Sequence, residues 1–246
     1  MSRNYELLRR ASAEENSSAR VPPPVHRTYE MRPVPEAHVL SREELVKLVQ
    51  MVFLLPGNNS PRVVVFTGVE SGVGCSSICA GAAEALAAHV TEPVCLVDSN
   101  LRYPSLHLCF EMENGKGLSE SLVNPEPILE FVKEPNGEGP WLLSSGLNFS
   151  SWGGVLNAKR LGARVEELRR EFGYVLMDSP PVNIYSDAIS LGQASDGVVL
   201  VLSANSTRKE AARKAKENLQ IAGARVLGAV LNNRTYPIPQ AIYDRL

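Results

Sequence analysis

Short apolar runs alternate with amphipathic segments along the chain from about residue 41 to residue 232. Six of the apolar runs have the length and composition of buried strands. They are Val63–Thr67, Val94–Asp98, Trp141–Ser144, Tyr174–Asp178, Gly197–Ser203 and Val226–Asn232. Apolar residues at helical spacing separate them, chiefly in the segments Cys75–His89, Asn157–Phe172 and Thr207–Ala222. This alternation predicts an α/β fold in which helices cover both faces of a mostly parallel central sheet.

The segment SREELVKLVQMVFLL precedes the first strand and predicts an amphipathic helix over Arg42–Leu55. Ser41 occupies the cap position of this helix. Glu44 follows it at the spacing of a capping box, in which the two residues satisfy each other's backbone N–H groups.

The two ends of the chain differ from its centre. Residues 1–36 are polar and rich in proline, and such a composition does not assemble a packed element. We therefore expect a disordered N-terminal tail there, a single domain over 37–235, and a short tail over 236–246 that carries Tyr236 and Tyr243.

Composition narrows the classes of function. The 246 residues are 44% hydrophobic and 21% charged, which is enough for one sizeable core. A formal net charge of −2 gives no reason to expect a nucleic-acid partner. The four cysteines lack metal-binding spacing, and the N-terminus lacks the apolar core of a signal peptide. No apolar stretch approaches the roughly 18 residues that cross a bilayer, so we expect a cytoplasmic protein that meets a membrane only through a partner.

The first predicted strand runs into GVESGVGCSS, residues Gly68–Ser77, which we call the phosphate loop. A strand, a glycine-rich turn and a helix aim backbone N–H groups and the positive end of the helix dipole at one point, which suits phosphate groups. Ser76 stands where a Mg²⁺ ligand belongs, whereas Cys75 replaces the lysine that usually contacts the β- and γ-phosphates. The predicted nucleotide contacts are Gly72, Val73, Gly74, Cys75, Ser76 and Ser77.

Two plainer interpretations of the phosphate loop stay open. Gly72 and Gly74 would serve an ordinary strand-to-helix turn equally well. A helix N-terminus lowers the pKa of a thiol and so allows a redox role for Cys75, although a cysteine at such a position is more often tolerated only because it is small.

Polar residues end three other predicted strands. Asp98 ends the second strand, where a carboxylate can hold Mg²⁺ or activate a hydroxyl group. Asp178 ends the fourth strand after a buried apolar run, as a Mg²⁺-binding aspartate does in phosphoryl-transfer proteins. Asn232 ends the sixth strand and offers an amide that suits the edge of a purine. Ligands of such folds gather at the carboxyl ends of the strands, so we expect these residues to surround the phosphate loop.

These segments resemble those of the bacterial tyrosine kinases (BY-kinases) of exopolysaccharide and capsule assembly, within the deviant Walker group of P-loop NTPases. DSNLRYPSLH at 98–107 is similar to the family pattern DxDLRxPxxH, with Asn100 in place of the second aspartate. MDSPP at 177–181 is similar to the family's Walker B segment, and the stretch from SDAISLGQ to VLGAVLNN resembles the family's last third. The resemblance covers about residues 41–235.

The resemblance implies ATP-dependent tyrosine phosphorylation with ATP and Mg²⁺ as cofactors. In that scheme Ser76, Asp178 and Asp98 organise the metal ion. Asp98 also helps to activate the tyrosine hydroxyl, Arg102 acts in catalysis or at an interface, and Asn232 holds adenine.

The resemblance also implies partners. Members of the family pack into rings through a helical ExxRxxR motif, which Glu44, Lys47 and Gln50 echo here with weakened basic positions. We therefore expect a homo-oligomer that works with a separate membrane adaptor, the regulator of polysaccharide chain length, at the inner face of the membrane. Tyr236 and Tyr243 are candidate phosphoacceptors, although tyrosines that pack a tail onto a domain are the commoner case.

The departures from the family fall on catalysis. Cys75 removes the phosphate lysine, and Asn100 removes one carboxylate. Loss of one charged hydrogen bond to phosphate costs about 1.5–3 kcal/mol, or roughly a ten- to 150-fold loss of affinity. Two alternatives to an active kinase are therefore open. One is a nucleotide-sensing or scaffold module, a pseudokinase, of the same assembly; the other is a partition- or division-site-type ATPase, although that group normally carries a lysine where Glu70 stands.

Overall fold

Six strands form the centre of the structure, a computed structural model that describes residues 40–54, 60–134, 139–147 and 158–234. The strands are β1 Val63–Gly68, β2 Val94–Asp98, β3 Trp141–Leu143, β4 Tyr174–Ser179, β5 Gly197–Ser203 and β6 Val226–Asn232. They lie in the order β3-β2-β4-β1-β5-β6, and every neighbouring pair is parallel. All six predicted strands are confirmed, each with ends within one residue of the prediction.

Helices connect the strands. Within the described residues they are α1 Arg42–Val52, α2 Cys75–Ala87, α3 Leu106–Cys109, α4 Leu118–Ser121, α5 Ala158–Glu171, α6 Asp187–Ala194 and α7 Lys209–Ile221, with a 3₁₀ turn at Ile128–Phe131. The predictions of α1, α2, α5 and α7 are confirmed, although Leu55 and Asn157, which were expected to belong to α1 and α5, lie outside the described residues. The helices α3, α4 and α6 were not predicted, because elements of 4 or 8 residues show too few turns for a periodic pattern.

Successive side chains of each strand enter different cores, because a strand points its residues alternately to the two faces of the sheet. Val64 and Phe66 pack on the face covered by α1 and α2. Val63 and Val65 pack on the face covered by α5, α6 and α7. The expected cover of helices on both faces is therefore confirmed, and it explains why the strands are continuously apolar.

The parallel arrangement brings the carboxyl ends of all the strands to one edge of the sheet. The chain leaves β1, passes over β4 and enters β2, so β4 lies between these two strands. The segments that follow β1, β2 and β4 therefore meet at this edge, and the candidate site lies there.

None of the helices in the described ranges is both long enough and apolar enough to span a bilayer. The predicted tails, residues 1–36 and 236–246 with Tyr236 and Tyr243, lie outside the described residues.

Candidate functional site

The phosphate loop joins β1 to α2. Gly72 and Gly74 have φ angles of 77° and 83°, a left-handed conformation that glycine adopts without steric cost. Gly74 directly precedes α2, and no side chain caps the helix there. The N–H groups of the first turn are therefore not used by a cap, and the positive end of the helix dipole lies behind them. The predicted contacts from Gly72 to Ser77 span the glycine turn and the first residues of α2, which together have the form of an anion-binding cradle.

Ser76 and Asp178 meet beside the phosphate loop. The Ser76 hydroxyl donates to Asp178 Oδ2 at 2.6 Å. Asp178 is completely buried, and its Oδ1 has no hydrogen-bond partner. A hydroxyl beside an orphaned carboxylate oxygen fits Mg²⁺, which takes oxygen ligands and keeps several from water and phosphate. The described residues contain no group of three or more His, Cys, Asp or Glu side chains suited to a metal ion, so water and phosphate would supply the remaining ligands.

Two carboxylates lie side by side at this edge. Asp98 and Asp178 are opposite each other in the register of β2 and β4. Complete burial, followed by the charge of Asp98, raises the pKa of Asp178 to about 7. Neither carboxylate forms an ion pair with any of the described residues. The site therefore concentrates negative charge that a divalent cation would offset.

Cys75 places a neutral thiol at the first residue of α2, where the lysine of such loops stands. This thiol lies against the Asp178 carboxylate. Burial, and then the charge of Asp178, raises the pKa of the Cys75 thiol well above its ordinary range. The redox role that a lowered pKa would have allowed is therefore not supported, because burial and the neighbouring carboxylate raise the pKa of this thiol.

Asp98 is buried and holds the segment that follows β2. Its oxygens accept backbone N–H groups from Asn100 at 3.2 Å, Ser105 at 3.0 Å and Leu106 at 3.1 Å. Burial raises its pKa to about 6 in spite of these hydrogen bonds. The structure thus shows a backbone-anchoring task for Asp98, whereas its tasks as metal ligand and catalytic base stay predictions.

Arg102 contacts the start of α6. Its Nε and Nη2 both donate to Asp187 Oδ2 at 3.2 Å, and its guanidinium carbon lies 4.4 Å from the centre of the Tyr185 ring. No local sequence pattern connects these residues, because Arg102 follows β2 and the other two follow β4.

Asn232 reaches the phosphate loop from β6, although β5 lies between β6 and β1. Its Nδ2 donates to the carbonyl oxygen of Val73 at 2.9 Å. The residue is buried and its Oδ1 has no partner. The structure therefore brings Asn232 to the loop, and its contact with adenine stays a prediction.

The three residues of the predicted oligomerisation motif lie on α1. Glu44 completes the capping box with Ser41, whose backbone N–H donates to the Glu44 carboxylate at 2.9 Å. Lys47 and Gln50 are exposed and line a hollow of about 470 Å³ along α1, next to His89. Val46 lines this hollow and also another of about 370 Å³ between α1 and α2. Lys47 and Gln50 thus face an open groove, which we call the α1 groove, while Glu44 caps α1.

Comparisons with known proteins agree with this geometry. The chain is 33% identical over 171 residues to the tyrosine-protein kinase YwqD of Bacillus subtilis, and the match covers 70% of this chain and 72% of that protein. Its structure is similar to that of the chimerical protein CapA2B2, with a TM-score of 0.70, 26% identity and coverage of 79% of this chain and 85% of that one.

A second structural likeness is to the septum site-determining protein MinD of Pyrococcus horikoshii, solved with Mg-ADP. The TM-score is 0.61 at 20% identity, and the likeness covers 74% of this chain and 76% of that one. At this identity the likeness shows a shared fold only. No family model matches the chain.

Proposed function

Because the chain belongs to the family of bacterial tyrosine-protein kinases, we propose that it binds Mg-ATP and serves exopolysaccharide or capsule assembly as a member with strongly slowed phosphoryl transfer. The observation that carries the proposal is the pairing of Ser76 with Asp178 beside an uncapped helix start, in a loop whose lysine is Cys75. The Ser76–Asp178 pair and the uncapped helix start favour nucleotide binding. The replacement of the lysine by Cys75 opposes rapid transfer of the phosphoryl group.

The residues of the site have distinct tasks in this proposal. The N–H groups between Gly72 and Ser77 contact the phosphates. Ser76 and the free Oδ1 of Asp178 hold the metal ion, which supplies charge neutralisation at the phosphates when it is bound. The Oδ1 of Asn232 accepts from the amino group of adenine, because its Nδ2 is already used by Val73.

Slow phosphoryl transfer follows from the absence of a positive charge at Cys75. In phosphoryl transfer, fixed positive charge stabilises the charge that develops in the transition state. A thiol that stays protonated adds none, and the adjacent Asp178 and Asp98 add negative charge. Binding loses roughly ten- to 150-fold for one missing charged hydrogen bond, and the rate of transfer is expected to fall by more.

We extend the proposal to the assembly. The exposed groove beside Lys47 and Gln50 favours self-association, and a separate membrane adaptor that regulates chain length would hold the protein at the inner face of the membrane. Tyr236 and Tyr243 are the proposed phosphoacceptors in trans, and Asp98, Asp178 and Arg102 are the proposed catalytic side chains.

Phosphotyrosine measured by mass spectrometry tests this proposal. Freshly dephosphorylated protein is incubated with Mg-ATP, with and without the adaptor, beside the variants Cys75→Lys and Cys75→Met. The lysine restores the missing charge, whereas the methionine changes size without charge. We expect phosphotyrosine to form at least about 100-fold faster in Cys75→Lys than in the other two proteins, and nucleotide to bind more than about tenfold tighter.

Two results would contradict the proposal. Rapid phosphorylation of the unchanged protein would show a kinase that does not need the lysine. Failure of the unchanged protein and of Cys75→Lys to bind Mg-ATP in an equilibrium titration would show that the loop is only a structural turn.

A further inference from the structure

Asn232 supports the phosphate loop from the side of β6. The two partners of the hydrogen bond from Asn232 Nδ2 to the Val73 carbonyl are 159 residues apart in the chain. Both residues are buried, with Val73 at 4% and Asn232 at 4% exposure. A buried hydrogen bond of this kind is costly to break, because the carbonyl would be left without a partner.

The direction of this bond fixes the orientation of a peptide plane. In a trans peptide the carbonyl of one residue and the N–H of the next point in opposite directions. The Val73 carbonyl points at Asn232, so the N–H of Gly74 points away from it. If this peptide turned over, a carbonyl oxygen would take the place of an N–H in the loop and repel a phosphate.

The packing at Gly74 adds a second, independent restraint. A Cβ built on Gly74 would overlap Asn232 Nδ2, whereas a Cβ on Gly72 would meet nothing within 4 Å. Both glycines have similar positive φ angles, 83° and 77°. Gly74 therefore meets a spatial requirement set by Asn232 that Gly72 does not share.

We propose that Asn232 is a positioning residue for the phosphate loop: it holds the peptide between Val73 and Gly74 in the orientation that accepts phosphate, in addition to any contact with a nucleotide base. Only the identity of the ligand rests on the proposed function, since the loop geometry exists without it. If Asn232 contacted only adenine, its substitution would not change the binding of a ligand that lacks a base.

The binding of inorganic pyrophosphate separates the two tasks of Asn232. Asn232→Ala is compared with the unchanged protein by titration calorimetry with pyrophosphate and with ADP, in the presence of Mg²⁺. The matched control is Asn233→Ala, which removes the neighbouring amide, a donor to Ser203 Oγ at 3.1 Å rather than to the loop. We expect Asn232→Ala to weaken pyrophosphate binding by about tenfold, the effect of one net hydrogen bond, and Asn233→Ala to leave it unchanged.

Alkylation of Cys75 measures the opening of the phosphate loop without any nucleotide. The rate of its reaction with iodoacetamide is measured by peptide mass spectrometry relative to the exposed Cys109 in the same molecule. We expect this ratio to rise by about tenfold in Asn232→Ala as the loop opens more often. Gly74→Ala should raise it more than Gly72→Ala, although the two changes carry the same φ penalty.

The outcomes are distinct. If Asn232→Ala weakens ADP binding but changes neither pyrophosphate binding nor the Cys75 ratio, Asn232 contacts only the base and the inference is wrong. If the unchanged protein binds neither ligand, the proposed function fails. The Cys75 ratios and the glycine pair then still decide whether Asn232 positions the loop.

Discussion

At the scale of single residues, Asp178 combines complete burial with one oxygen that has no partner. Both features are unfavourable for an ionised carboxylate, because burial removes its hydration and the hydrogen bond from Ser76 replaces only part of it. The pKa of Asp178 in the folded protein is about 7, against about 3.9 in an unfolded chain. Between these values the folded state binds a proton that the unfolded state does not. The contribution of Asp178 to stability is therefore present below about pH 4 and is lost as the pH rises through about 7.

This direction of the pH dependence gives a prediction for the stability of the variant Asp178→Asn. In metal-free buffer with a chelator, the free energy of unfolding of the unchanged protein should fall by about 2–3 kcal/mol more than that of the variant between pH 5 and pH 8. Urea denaturation at several pH values measures both. The comparison cancels groups that titrate alike in both proteins, and the remaining difference reports Asp178 together with its effect on the neighbouring Asp98. Parallel pH profiles would refute the assignment.

At the scale of elements, Asp196 fastens the start of β1 to the neighbouring α5. Its Oδ2 accepts the backbone N–H groups of Arg62 at 2.7 Å and Val63 at 2.8 Å, and the guanidinium of Arg169 at 2.9 Å. Arg62 in turn donates to carbonyl groups at the end of α5, including that of Phe172 at 2.8 Å. This cluster lies at the amino end of β1, away from the phosphate loop, so the task of Asp196 there is structural.

We predict that Asp196→Ala lowers the free energy of unfolding by about 1–3 kcal/mol, because two backbone donors and a guanidinium lose their acceptor. Urea denaturation at pH 7 checks this value. The control is Glu217→Ala, which breaks the exposed pair of Arg213 and Glu217 and should cost less than about 0.5 kcal/mol. Equal losses in the two variants would contradict the argument.

At the scale of the whole molecule, the two faces of the sheet are covered differently. Three helices, α5, α6 and α7, pack on one face, while α1 and α2 cover the other and leave an open groove between them. Val46 lines both hollows of this groove, next to the exposed Lys47 and Gln50. Apolar surface rimmed by polar side chains is typical of a site of association.

The prediction for self-association therefore uses Val46 rather than Glu44, whose loss would also remove the cap of α1. Val46→Asp should shift the mass measured by multi-angle light scattering toward that of the monomer, because the change places a charge in the contact. The matched control is Ile221→Asp on α7, an equally drastic change of a side chain that is 86% exposed on the opposite side of the sheet. An unchanged mass for Val46→Asp would place the oligomer contact elsewhere.

Local pattern was enough to predict most of the fold. Alternation of apolar runs and helical spacing predicted all six strands and the longer helices, because each of these elements buries a face that leaves a periodic trace in the sequence. The phosphate loop could also be predicted from the sequence, since the positive φ angles at Gly72 and Gly74 favour glycine. The short helices α3 and α4 left no such trace.

Contacts between distant segments were decided by the tertiary structure. The pairing of Ser76 with Asp178, of Arg102 with Asp187, and of Asn232 with Val73 joins residues 102, 85 and 159 positions apart. The sequence by itself determined which residues end the strands and that one loop suits phosphate, because these properties depend on neighbours in the chain. Only the order of the strands decided which side chains meet, and with it that Cys75 lies against a buried carboxylate and that Asn232 holds the loop.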